Sequence, residues 1–89
     1  MEKINLLEAY KFYEILYDQY APKAYGFLLG QLQKKQDAEN VLMEIFEKIW
    51  EDLDTFKTDT EKRIKKIIVS TYYQSSIYQK GLIKHNQLI

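Results

Sequence analysis

Apolar residues recur along most of this chain at spacings of three and four, the period of an amphipathic helix rather than the alternation of a strand. Leu6, Tyr10, Tyr13, Tyr17 and Tyr20 fall on one such stripe, widened by Phe12, Ile15 and Leu16, and predict a first helix over about Leu6–Tyr20. Pro22 follows, and its fixed φ and missing N–H suit a first helical turn and damage an interior. A second helix is therefore expected over about Pro22–Lys34, with Tyr25, Leu28, Leu29 and Leu32 inward. Gly26 and Gly30, four apart, are expected to let a neighbouring helix approach closely. Beyond the polar link Gln33–Gln36, Asp37 reads as an N-cap, and Glu39 and Asn40 fall in a first turn that favours them. The third helix then runs to about Asp54. The break Thr55–Thr60 offers Thr58, Asp59 and Thr60 as caps for a fourth helix, about Glu61–Gln79. Its inward stripe is Ile64, Ile67, Ile68, Thr71, Ser75 and Tyr78, and Gly81 is its stop signal. One proline and three glycines are too few for the turns of an all-β fold. The expected class is all-α: a compact four-helix bundle forming one domain over residues 1–81, with a C-terminal tail over 82–89.

The third helix carries more apolar surface than one core requires. Ala38, Leu42, Ile45, Ile49 and Leu53 form a core stripe. A second set, Met43, Phe46 and Trp50, is displaced around the helix and bordered by Asn40, Glu44, Glu47 and Glu51. An apolar face with an acidic border is the pattern of a surface that docks another protein.

Charge sharpens this division. The formal net charge is zero, yet residues 1–54 hold six Lys against eleven Asp/Glu, whereas residues 55–89 hold seven Lys/Arg against two. An acidic first part suits a basic protein surface, and a basic fourth helix suits phosphate. Lys62, Arg63, Lys65 and Lys66 crowd the start of that helix, and Tyr72 and Tyr73 follow with rings able to stack on unpaired bases. The competing reading is that both are solvated faces.

Other chemistry has little to work with. Cysteine is absent and the lone histidine, His85, lies near the C-terminus, so no disulfide, thiolate site or zinc set is available. Glu44, Glu47 and Glu51 lack the paired Glu-x-x-His pattern of helical di-metal proteins. No Gly-rich phosphate loop occurs, and Ser70, Ser75 and Ser76 have no evident base. No metal, no cofactor and no enzymatic activity are expected. No apolar run approaches the roughly 20 residues of a bilayer span, and Met1–Asn5 lacks the shape of a signal peptide. No membrane association and a cytoplasmic setting are expected.

The order of residues also carries a resemblance. Tyr13-Glu-Ile-Leu-Tyr-Asp-Gln-Tyr-Ala-Pro-Lys-Ala-Tyr-Gly-Phe-Leu-Leu29 resembles the opening of region 2 in extracytoplasmic-function sigma factors of bacterial RNA polymerase. Asp37-Ala-Glu-Asn-Val-Leu-Met-Glu-Ile-Phe-Glu-Lys-Ile-Trp50 resembles that family's Asp-Ala-Glu-Asp-Leu-Val-Gln-Glu-Val-Phe-x-x-x-Trp segment, and Leu53-Asp-Thr-Phe56 also fits. The likeness spans about residues 12–80.

The resemblance implies a region 2-like bundle that docks on the clamp helices of the polymerase largest subunit. Asn40, Met43, Glu44 and Trp50 stand where the family's contacts stand, with Glu47 on the same acidic border. It also implies that the segment Phe56–Glu61, including Lys57, holds a flipped promoter base. The fourth helix, through Lys62, Arg63, Lys65, Lys66 and Tyr73, would face the −10 element, and an anti-sigma factor is a further implied partner. Departures fall at Asn40 and Met43, where the family usually has Asp and Gln while Glu44 is kept, and along that fourth helix. The family's Arg-Asn pair is Val69-Ser70 here, its Asp is Gln74 and its final basic pair is Ile77-Tyr78. A domain reading the −35 element is not included, which is expected either of a region 2 segment or of a short sigma-like protein. Alternatives of another class are a protein-binding module without promoter opening, and a bundle that self-associates through Met43, Phe46 and Trp50.

Overall fold

The helices assemble in the order α1 (Leu6–Leu32), α2 (Lys35–Glu51), a 3₁₀ turn (Leu53–Lys57) and α3 (Thr60–Gln74), and residues 76–80 are helical again. The computed structural model describes residues 5–80; Gly81 and the tail 82–89, with His85, lie outside them. Among the described residues there is no strand, and the chain is an all-α helical bundle. No helix among them is long and apolar enough to cross a membrane.

The expected break at Pro22 does not occur, because Pro22 lies inside α1. Proline removes one N–H bond and crowds the carbonyl four residues earlier, that of Asp18. Both Asp18 and Pro22 are exposed, so the freed carbonyl faces water. On the opposite side Leu16, Tyr20, Ala21, Ala24 and Leu28 are buried without interruption across the proline. Continuous burial on one side outweighs the local defect on the other. Asn5 caps the start of α1, accepting the Leu7 N–H at 2.8 Å. Gln33 ends it in the left-handed region at φ 59°, with its N–H on the Leu29 carbonyl at 2.9 Å. A non-glycine residue there carries a steric cost.

The core stripe of α2 is as expected in Ala38, Ile45 and Ile49, which are buried, while Leu42 is half-buried and Val41 joins the core. α2 ends at Glu51 rather than near Asp54, so the buried Leu53 belongs to the 3₁₀ turn. α1 packs chiefly along α2, and α3 packs on both through Ile64, Ile68, Thr71 and Tyr72. Lys34, not Asp37, is the N-cap of α2, which leaves Asp37 in the first turn. Thr60 Oγ1 donates to the Phe56 carbonyl at 2.7 Å and ties the 3₁₀ turn to α3.

The expected fourth helix is divided at Ser75. Its Oγ donates to the Tyr72 carbonyl at 2.7 Å and accepts the Tyr78 N–H at 3.2 Å. One hydroxyl thus serves the end of α3 and the start of the next turn, compensating for the interruption. Gly26 and Gly30 are not met by a neighbouring helix; among the described residues nothing lies within 4 Å of a Cβ built on either.

Candidate docking surfaces

Helical periodicity places Tyr10, Tyr13, Tyr17 on α1 beside Phe46 and Trp50 on α2, and the result is a seam of rings. Tyr10 stacks on Trp50 at 5.0 Å between centroids, and Tyr13 meets the same ring edge-on at 5.4 Å. Tyr17 meets Phe46 edge-on at 4.8 Å, and Tyr13 meets it at 6.0 Å. Offset and edge-on pairs of this kind add stabilisation beyond the area they bury. Burial, then Tyr17 and then Glu47 raise the Tyr13 pKa above its ordinary value.

Two of the three residues of the second apolar set are used by the monomer. Phe46 is buried and belongs to the core, and Trp50 is half-buried between Tyr10 and Tyr13. The self-association reading thereby loses Phe46 as a surface contact. Met43 is different: it is 63% exposed. It borders a hollow of ≈210 Å³ lined by Tyr13, Tyr17, Leu42, Met43, Phe46 and Glu47. Asn40 and Glu47 are exposed and Glu44 is half-buried, so the acidic border stands at the surface around Met43. Gln36 Nε2 donates to Asn40 Oδ1 at 3.1 Å and holds that amide at the edge. The five residues singled out on α2 thus share one region, with Met43 as its accessible apolar point.

The residues expected to meet DNA are less united. Phe56 is 4% exposed and is part of the core, so its ring is not free to hold a base. Lys57 pairs with Asp54 at 3.0 Å and Lys65 with Glu61 at 3.5 Å, both at the surface, where such pairs contribute little. Lys62, Arg63 and Lys66 are exposed. Lys62 and Lys66 are one turn apart on the same side of α3. Tyr73 is exposed, about 16 Å along the helix from Lys62 and about 10 Å from Lys66 by the rise per residue. Its ring lies against Tyr72 at 5.1 Å and Tyr78 at 4.9 Å.

A second hollow escaped the sequence reading. Between α1 and α3 runs a groove of ≈280 Å³ with Ala24, Phe27, Ile68 and Val69 among its walls. The only trace in the sequence is that Tyr20 and Phe27 are two turns apart and Val69 extends an Ile67-Ile68 run. Among the described residues no group of three or more His, Cys, Asp or Glu is placed to hold a metal ion.

Fold and surface together define a small helical bundle with an aromatic, acid-bordered seam. No protein-family model matches the chain. No curated protein and no solved structure matches it either.

Proposed function

We propose that this chain is a docking domain of the sigma region 2 type, which binds the clamp helices of the largest subunit of core RNA polymerase through the α1/α2 seam. The observation that carries this reading is Met43, an apolar side chain 63% exposed beside a hollow and ringed by Asn40, Glu44 and Glu47. Burying such a side chain against a partner contributes up to about 1.5–3 kcal/mol. The acidic rim selects a basic partner and steers its approach. The ordered resemblance of residues 12–80 to region 2 names that partner.

Pull-down on an isolated clamp coiled coil tests the reading. Met43→Glu and Glu44→Ala should each weaken capture by about tenfold or more with helicity unchanged. Equal capture by both variants overturns the assigned surface. Met43 is a cleaner probe than Trp50, whose loss also strips two ring contacts from the bundle.

In the fuller form of this reading, Lys57, Lys62, Arg63, Lys65, Lys66 and Tyr73 contribute to recognition and melting of the promoter −10 element. A narrower form is a docking module that occupies the polymerase or an anti-sigma factor without opening a promoter. The burial of Phe56 favours the narrower form, because the loop that would hold a flipped base keeps its ring in the core. A single-stranded −10 oligonucleotide separates the two. Binding that falls steeply with salt supports the fuller form, and no binding at low salt supports the narrower.

A further inference from the structure

We propose that the α1/α3 groove is a second docking site, independent of the α2 seam, and that its occupant is an amphipathic helical segment of another protein with acidic residues flanking its apolar anchors. The groove floor is formed by Ala24 and Phe27 from α1 and Ile68 and Val69 from α3, with Lys23 and Lys65 at its edges. Val69 is 42% exposed. It projects from the side of α3 that also carries Lys62 and Lys66, both exposed. Lys23 and Lys65 thus line the channel, Lys62 and Lys66 lie on the adjoining side of α3, and the acid in its lining, Glu61, is paired with Lys65. From Tyr20 to Phe27 the channel follows two turns of α1, about 10 Å. That length takes two apolar side chains one helical turn apart, the i and i+4 anchors of a helix laid in a groove.

Charge complementarity alone would also admit nucleic acid. The floor argues for the peptide. Ala24, Phe27, Ile68 and Val69 offer no hydrogen-bonding group to a base edge, and the Tyr20 side chain that also lines the channel is buried. Phe27 is already engaged edge-on by Tyr72, with centroids 5.7 Å apart and planes at 83°. A nucleic acid held by the lysines would leave this apolar surface wet, whereas an acidic amphipathic helix covers the floor and pairs with the rim at once.

Isotope-labelled full chain is titrated with a synthetic helical peptide carrying two leucines four residues apart among glutamates. Two control peptides replace the leucines by serine or the glutamates by glutamine. The expected result is amide shifts along Tyr20–Phe27 and Glu61–Val69, absent with the serine peptide and weaker with the glutamine peptide. Val69→Glu should weaken binding about tenfold, and Lys23→Glu about threefold at low salt only. Both positions are exposed, so both variants fold. Absence of shifts in the groove at saturating peptide overturns the proposal. So does a single-stranded oligonucleotide that binds wild type and Val69→Glu alike and shifts the lysines and Tyr73, which assigns the face to nucleic acid. Concentration-dependent sedimentation of the free chain that Val69→Glu abolishes assigns it to a second copy instead. Met43→Glu leaves peptide binding unchanged, so failure here is distinguishable from failure at the α2 seam.

Discussion

Along α2, the first helix closes its contact with rings: Tyr10 and Tyr13 grip Trp50, and Tyr13 and Tyr17 border Phe46. Along α3, the same helix presents Ala24 and Phe27 to Ile68 and Val69, and a channel remains. The first contact is acidic at its margin and the second is basic. Large rings bury Phe46 and hold Trp50 in the α2 contact, while Tyr10, Tyr17 and Met43 stay at the surface, the last two around a hollow. Small and aliphatic side chains leave the interface open along its length. One helix can thus offer a ring-packed seam with a hollow beside Met43, and an apolar groove that accepts side chains from outside.

The largest expected effect separates the two contacts energetically. Phe46→Ala removes a buried ring from the α2 seam and should cost about 3–5 kcal/mol, close to the whole stability of a small domain. Val69→Ala at the groove should stay within about 0.5 kcal/mol. Chemical denaturation of the two variants checks this, and equal losses would mean that the groove is as much a core as the seam. Next is Pro22, on which the continuity of α1 past both contacts turns. Pro22→Ala should stabilise by about 2 kcal/mol, since a proline costs roughly 3 kcal/mol inside a helix and returns under 1 by restricting the unfolded chain. A loss in thermal midpoint would show that the proline geometry is needed to aim the two halves of α1.

Thr71→Val sharpens the α3 side. Thr71 Oγ1 is fully buried with no hydrogen-bond partner among the described residues. Replacing the hydroxyl by a methyl of similar shape should add about 1 kcal/mol. Gly26→Ala should add about 0.5–1 kcal/mol, as Ala outranks Gly in an exposed helix interior and no atom stands in the way. Destabilisation there would reveal close packing onto that flank. The smallest effect is a pH dependence shared by both contacts. Tyr13 in the seam and Tyr72 on α3 both have pKa values raised above the ordinary 10.0, chiefly by burial. Neighbouring Tyr17 and Glu47 add to the first, and Tyr78 and Tyr73 to the second. A raised folded value favours the folded state while the phenol keeps its proton. The contribution is complete below the unfolded value and is lost as pH rises from there through the folded one. Denaturant midpoints should therefore fall above pH 10, and Tyr13→Phe, which keeps the ring contacts, should flatten part of that fall.

Much of the bundle was readable from residue spacing, and the errors share a cause. Three positions of the α2 stripe, Ala38, Ile45 and Ile49, were read at their true depth, while Val41 was missed and Leu42 is only half-buried. The α1 stripe was read too far toward its tyrosines: Leu6, Tyr10 and Tyr17 are exposed, and Ala21 and Ala24 are buried in their place. Tyrosine suits a core, a rim and a surface alike, so its recurrence reports a face without reporting its depth. Phe46 was assigned to the outer set for the same reason, and the rings of Tyr13 and Tyr17 are what enclose it. Of the candidate surfaces, the acid-bordered Met43 patch was visible as excess apolar residues on one helix. The α1/α3 groove was not, because its walls lie about 40 residues apart in the chain.

Residue order by itself determined the helical class, the core stripe of α2 and the division into an acidic and a basic half, all of which follow from local spacing and formal charge. Tertiary structure alone decided that Pro22 sits within one long helix, that Trp50 is held between two tyrosines and that a channel opens beside Val69. Helical periodicity fixes which side chains share a face. How wide an arc of that face a crossing helix covers depends on the sizes of side chains brought together from distant parts of the chain, and only the packed bundle contains that information.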